Sequence, residues 1–257
     1  MFGLLASRPE YNKIIKPFIA LAPIVRLNHM RSPIRHLFPY IYPITSRITG
    51  QAASSTFVKP LIAGHLFDDL AQRVTHTLLF LMGGFDWSQV DSSRLSVYHS
   101  HPFGDVSFKN LNHFLQMYLH GQFCKFNYDE IIEHINSPSF LRNQLHPACG
   151  NVNNNANGSP VKEENKSRNQ FLYNSKSPPI YDIKLITNEY ICMFHGANDW
   201  FTSDEDLHFI RDQMKIPLYE DQRIPHDNWN HLDFIFGKDC GHFVNSKVID
   251  LIKEITG

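Results

Sequence analysis

The sequence predicts an α/β fold, and three observations predict it. Short apolar runs that read as buried strands lie near both ends of the chain, at Lys16–Pro23 and Tyr190–Phe194. Stretches of helical character flank them, Phe2–Ala6 before the first and Thr202–Met214 after the second. A third strand-like run, Leu218–Ile224, leads towards a terminal helix from Phe243 to Ile255. Strands alternating with helices build a parallel sheet whose faces the helices cover.

Taken in order, Phe2–Ala6 is stopped at Arg8-Pro9, and Tyr11–Ile15 adds one more turn. Lys16–Pro23 is a short apolar run closed by proline, the pattern of a buried strand. With no strand visible before it, the expectation is that its partner strands lie outside these residues. A hydrophobic sheet edge would then be exposed and solubility would be poor. From Ile24 to Asn143 no comparable strand occurs. Helical segments at Phe67–Met82 and Phe108–His120 are separated by Pro, Gly and Ser clusters. Leu111, Phe114, Leu115, Tyr118 and Leu119 form an amphipathic stripe in the second of them. The domain reading is therefore a core of residues 1–27 and 178–257, a helical cap inserted at 28–148, and an Asn-rich loop at 149–177. That loop, with Asn151–Asn157 and Lys162–Arg168, has too few apolar residues to offset its ordering entropy and is expected to be disordered. Asn157-Gly-Ser159 and Asn165-Lys-Ser167 match the glycosylation acceptor pattern.

Composition narrows the function classes. A chain of 257 residues with 42% hydrophobic content suits one sizeable core plus an insertion. A formal net charge of −1 gives no steering towards nucleic acid or an anionic membrane. Twenty phenylalanines point to aromatic packing or a lipid-facing surface. The four cysteines, Cys124, Cys149, Cys192 and Cys240, include no C-x-x-C, so neither a zinc site nor another metal or cofactor site is expected. No apolar run reaches the roughly 18 residues of a membrane span, and the start carries no basic leader of the signal-peptide kind.

The candidate chemistry lies near the C-terminus. Asp199 sits in the turn after the strand Tyr190–Phe194, where open α/β sheets place ligand-handling residues. His231 sits in the loop after the next strand. A carboxylate and then a histidine after successive strands are the last two members of a Ser…Asp…His order. The carboxylate would hold the imidazole in one tautomer and stabilise its protonated form. The nucleophile is missing: no G-x-S-x-G occurs, Ser7 follows a helix, and Cys192 lies inside a strand. His99 and His101 form an H-x-H without an acidic or thiol partner at ligand spacing. His195 either lines the Asp199 pocket or ends its strand, and His226 is a loop residue. An α/β binding module with a structural Asp and His is the bland alternative.

Seven segments resemble one family. Ile19-Ala-Leu-Ala-Pro23, Ser32-Pro33, Gly83-Gly-Phe-Asp86, Lys109-Asn110 with His113-Phe114, Pro178-Pro179, Gly196-Ala-Asn-Asp199 and Asn230-His-Leu-Asp-Phe234 follow the order seen in the acid lipases. These are the lysosomal acid lipase and gastric lipase group of α/β-hydrolases. The resemblance runs from Phe2 to the end, except for the Asn-rich tract. It implies the C-terminal part of an α/β-hydrolase fold with a helical cap, Asp199 as triad acid and His231 as triad base. It also implies a lipid ester substrate met at a lipid–water interface, and a lysosomal or secreted full-length protein. The family's serine elbow would fall about ten residues or fewer before Met1, and both oxyanion donors lie outside the chain. The chain alone is thus expected to be inactive; a truncated relative acting as a lipid- or protein-binding module is the second reading. Two features depart from the family: Phe67–Leu81 lacks its cysteine pair, and His101-Pro-Phe-Gly-Asp-Val-Ser107 replaces its His-x-Pro-Ala-Gly-Thr-Ser segment.

Overall fold

Five consecutive residues, Ile191–His195, form the central strand of a three-stranded parallel sheet, and all five are buried. A strand flanked on both edges and covered on both faces has no solvent side, so it carries Ile-Cys-Met-Phe without alternation. The first strand, Phe18–Leu21, pairs along one edge with Phe18 opposite Ile191 and Leu21 opposite Phe194. The last strand, Glu220–Arg223, pairs along the other, with Cys192 opposite Glu220 and His195 opposite Arg223. It is shorter than the run predicted from Leu218 to Ile224, and its Glu-Asp-Gln-Arg sequence suits a sheet edge that meets water.

The computed structural model describes residues 1–46, 52–53, 77, 80–94, 97–98, 106–130 and 167–257. They divide into a unit holding the sheet (Met1–Leu37, Ala52–Ser107, Tyr181–Gly257) and a second, helical unit (Phe38–Gln51, Phe108–Ile180). Residues 28–37 and the described part of 52–107 belong with the sheet, because Arg31, Ser32 and Gly83 bond to its C-terminal loops. No described helix is long and apolar enough to cross a membrane.

In the sheet unit, one core gathers Cys192, Phe194, Ile224, Trp229 and Phe234 beneath the C-terminal helix. That helix runs over Ser246–Thr256 after one π turn at Gly241–Asn245. Together with that turn it presents Val244, Val248, Leu251 and Ile255 to this core, three and four residues apart as an amphipathic helix requires. The helix Asp204–Gln213 starts where Ser203 Oγ accepts the Asp206 N–H at 3.1 Å. Asp204, Glu205 and Asp206 lie in its first turn, favourable to the dipole. At the N-terminus, helix Phe2–Ser7 buries Phe2, Leu5 and Ala6 and packs against the short turn Ile183–Leu185. Asn12, 4% exposed, fastens this corner: its Nδ2 donates to Leu5 O at 2.9 Å and its Oδ1 accepts the Thr187 N–H.

In the helical unit, Phe38–Thr45 packs against Phe108–His120. The second helix lies where its periodicity placed it, but it buries a different face. Asn112, Leu115, Gln116 and Met117 are inside, whereas Phe114 is 41% exposed. Asn112 can go inside because its Nδ2 donates to Thr45 O and its Oδ1 accepts the Thr45 hydroxyl at 2.5 Å. Gln116 likewise donates to Tyr42 Oη and Asn127 O, each at 2.8 Å. Satisfied amides are tolerated in a core, and hydrophobic periodicity does not register them. Within the tract expected to be disordered, Arg168–Tyr173 forms a helix. Ser167 Oγ accepts the Gln170 N–H and caps the helix Arg168–Tyr173. Asp129 accepts both the Ser167 hydroxyl and the Arg168 N–H, partners too distant in sequence for composition to reveal. Residues 149–166, with Asn157 and Asn165, lie outside the described residues, as do His99, His101 and most of the predicted helix Phe67–Met82.

Candidate functional site

The site is built where the central strand ends. Gly196 follows His195, and a Cβ there would lie 2.2 Å from Trp229 O, so only glycine lets the chain pass beneath Trp229. The turn that follows is tied to the His231 loop and to the segment at Gly83–Phe85. Asn198 N donates to Trp229 O at 3.0 Å, Asn198 Nδ2 to Phe85 O at 2.9 Å, and Trp200 N to Gly83 O at 3.1 Å. Asp199 is fully buried. Its Oδ1 accepts the N–H groups of Phe201 and Thr202, both at 2.8 Å. Its Oδ2 lies 2.8 Å from His231 Nδ1. A ring nitrogen facing an ionised carboxylate carries the proton, so Nε2 keeps its lone pair.

His231 is held by a reciprocal cap around it. Asp233 Oδ2 accepts the Asn230 N–H at 2.8 Å, while Asn230 Oδ1 accepts the N–H groups of Leu232 (2.8 Å) and Asp233 (3.1 Å). His231 N donates to Gly83 O at 3.3 Å, and Phe201 meets the imidazole edge-on, 5.0 Å between centroids. Below, fully buried Trp229 packs against Phe234 and Phe243. Gly84 has φ +117°, and a Cβ there would lie 2.2 Å from Asn198 O and 2.9 Å from Asn230 Cβ. It thus wedges between the neighbours of Asp199 and His231. The imidazole side chain stays 24% exposed.

Three carboxylates, Asp86, Asp199 and Asp233, are buried here. Burial first, and then the negative charges of Asp86 and Asp199, push Asp233 up to about 7; the Asn230 N–H partly opposes this. In the unfolded chain an Asp titrates near 4. Between those values the folded protein binds a proton that the unfolded chain lacks, so stability falls as pH rises. Asp233's contribution is fully present below about pH 4 and is lost as pH climbs through about 7. Asp233→Asn keeps an oxygen for the Asn230 N–H and removes the titration. Its melting temperature is expected to fall less between pH 4.5 and 7.5 than the parent's. Parallel curves for the two proteins would show that Asp233 is ionised throughout.

The other sequence candidates sort themselves clearly. His195 is buried, but its Nε2 lies 3.3 Å from Asp221 Oδ1 and 3.2 Å from Arg211 Nη2, so it ends its strand within a separate ion cluster. Burial pushes Asp221 up, but hydrogen bonds from His195 and Arg211 outweigh it and hold this carboxyl at about 2. His226 Nδ1 faces Asp86 Oδ2 at 3.4 Å. Burial pushes the Cys192 thiol up to about 11, which leaves it protonated and unreactive. Among the described residues no cluster of His, Cys, Asp and Glu could hold a metal ion. Sequence reading missed the parts played by Arg31, Gly83, Gly84 and Asp233. The Gly-Gly pair was the one available signal, because glycine marks close backbone approach.

Comparison with known proteins agrees with the resemblance. The chain is 26% identical to Lipase 3 of Drosophila melanogaster over 96% of its length and 55% of that protein. It is 24% identical to the lysosomal acid lipase/cholesteryl ester hydrolase of Rattus norvegicus, over 98% of the chain and 55% of the relative. Human gastric triacylglycerol lipase is 24% identical, over 98% of the chain and 54% of the relative. The chain thus spans about half the length of the curated relatives it matches. No family model matches it.

Proposed function

For a chain whose curated homologues over nearly its whole length are lysosomal acid lipase, gastric lipase and related lipases, we propose the acid–base half of a serine lipase. Lipase homologues imply an α/β-hydrolase, and the three-stranded parallel sheet with its helices is consistent with part of that fold. The observation that carries the proposal is the 2.8 Å contact between His231 Nδ1 and the buried Asp199 carboxylate, on loops that follow adjacent parallel strands. In this reading, a serine outside these 257 residues attacks the ester carbonyl. His231 Nε2 takes the hydroxyl proton and later returns it to the leaving alcohol, and Asp199 stabilises the imidazolium in between. The residues described here would therefore hydrolyse no ester by themselves.

The proposed substrates are lipid esters, triacylglycerols or cholesteryl esters, met at a lipid–water interface. Exposed Leu81, Met82 and Trp87 support this, since they flank Gly83, whose carbonyl holds His231. The segment 28–148 is proposed to include the acyl-facing cap, and the full-length protein to be lysosomal or secreted. The test is hydrolysis of emulsified triolein and cholesteryl oleate by the full-length protein and its His231→Ala variant. Removing the base should lower turnover on the order of 10⁴ to 10⁶. Turnover unaffected by that change would sink the assignment. A full-length protein that binds the emulsion without hydrolysing it would favour a lipid-binding relative instead.

A further inference from the structure

We propose that Arg31 is a positioning residue for the acid of this site, clamping the turn that carries Asp199 onto the loop after the first strand. The inference rests on reading Asp199 and His231 as the acid–base pair. Arg31 stands 168 residues from Asp199 in sequence, yet it reaches three of the four carbonyls in the turn 197–200. Its guanidinium Nη2 donates to Ala197 O at 3.2 Å and to Asp199 O at 2.9 Å. Its backbone N–H donates to Trp200 O at 2.8 Å, and Ser32 N joins it on the same oxygen at 3.1 Å.

The clamp is anchored on its own side. Ser32 is fully buried and its hydroxyl donates to Leu81 O at 3.3 Å. Arg31 therefore projects from a fixed backbone, although much of the residue itself is exposed. What the clamp controls follows from how Asp199 is held. Its Oδ1 bonds stay within the turn, to Phe201 N and Thr202 N. They set the carboxylate's direction relative to the turn and leave the turn's placement against His231 to other contacts. Asn198 and Trp200 tether the turn to Trp229, Phe85 and Gly83; Arg31 supplies a further tether from the loop after the first strand. Nη2 spans the two carbonyls with its two N–H groups, and bonds from a cation are the stronger kind. A lysine at this position offers a compact ammonium whose donors turn on a flexible stem, without the planar group that fixes their direction. Sequence gave no hint of this role, since an arginine in a loop before Ser32-Pro33 reads as solvated surface.

The test follows the proton on His231 Nδ1 by ¹⁵N-histidine NMR of the full-length protein, reading ring tautomer and exchange of that proton with water. In the parent, Asp199 should hold the Nδ1–H tautomer with slow exchange. Arg31→Ala should leave the fold intact and speed the exchange about tenfold as its two guanidinium contacts, to Ala197 O and Asp199 O, are lost, with Arg31→Lys in between. Unchanged exchange in Arg31→Ala, beside loss of the Nδ1–H tautomer in Asp199→Asn, would overturn the clamp and leave the pair standing. A parent tautomer that survives Asp199→Asn would overturn both. Should Arg31→Ala not fold, Arg31→Lys carries the test: faster exchange supports the clamp and unchanged exchange removes it.

Discussion

Asn in place of Asp199 is expected to lower ester turnover of the full-length protein on the order of 10⁴-fold, with little change in fold. Geometry gives the reason. Oδ1 of Asp199 already accepts two backbone N–H groups, from Phe201 and Thr202. The amide oxygen of an asparagine would keep those bonds, which turns its NH₂ towards His231 Nδ1. An amide donor there needs a lone pair on Nδ1, so the ring proton moves to Nε2. The imidazole is then in the tautomer that cannot accept a serine proton. Removing Asp199 as alanine would also leave Phe201 N and Thr202 N without partners, so the asparagine variant separates chemistry from packing. Turnover within tenfold of the parent would mean that Asp199 is not the acid.

Gly84→Ala is expected to be the most damaging small substitution among the glycines near the site. At φ +117° a side chain is strained before any contact is counted, and the added Cβ would lie 2.2 Å from a backbone oxygen. A backbone oxygen cannot swing aside as a side-chain tip can. The expected loss is about 3 to 5 kcal/mol in urea denaturation, the range of strain combined with a buried clash. Relief would come by pushing Asn198 and Asn230 apart, and these directly neighbour Asp199 and His231. Under the proposed function, ester hydrolysis by the full-length protein should therefore fall with stability. Gly241→Ala is the control, since nothing lies within 4 Å of its added Cβ. A helical position gains up to about 1 kcal/mol from that change. Equal effects at the two positions would show that Gly84 is not under the strain described.

The central strand was legible because it is a buried run: Ile191–His195 has no solvent face to interrupt its apolar character. Asp199 and His231 were legible through chain order, since a carboxylate and a histidine each followed a strand. Their neighbours were hidden for a shared reason. Arg31, Gly83 and Asn198 meet through backbone carbonyls, which every residue carries, so no residue type announces the contact. In the helical unit, Asn112 and Gln116 were hidden by mutual satisfaction: hydropathy scores them polar, and the structure buries them as bonded pairs. The helix Arg168–Tyr173 was hidden because Asp129, which bonds its start, lies beyond any local window.

The pairing of Phe18 with Ile191 has a consequence for biosynthesis. At a ribosomal pace of 5–20 residues per second, the roughly 170 residues between them take about 10 to 35 s to emerge. Throughout that interval the Phe18–Leu21 segment has been made and its parallel neighbour has not. Once both are out, closing so long a loop costs little more than closing a shorter one, about 0.6 kcal/mol per doubling of length. Insertions between the two strands would therefore hardly change equilibrium stability, but each would lengthen the time during which a nascent apolar strand depends on chaperones.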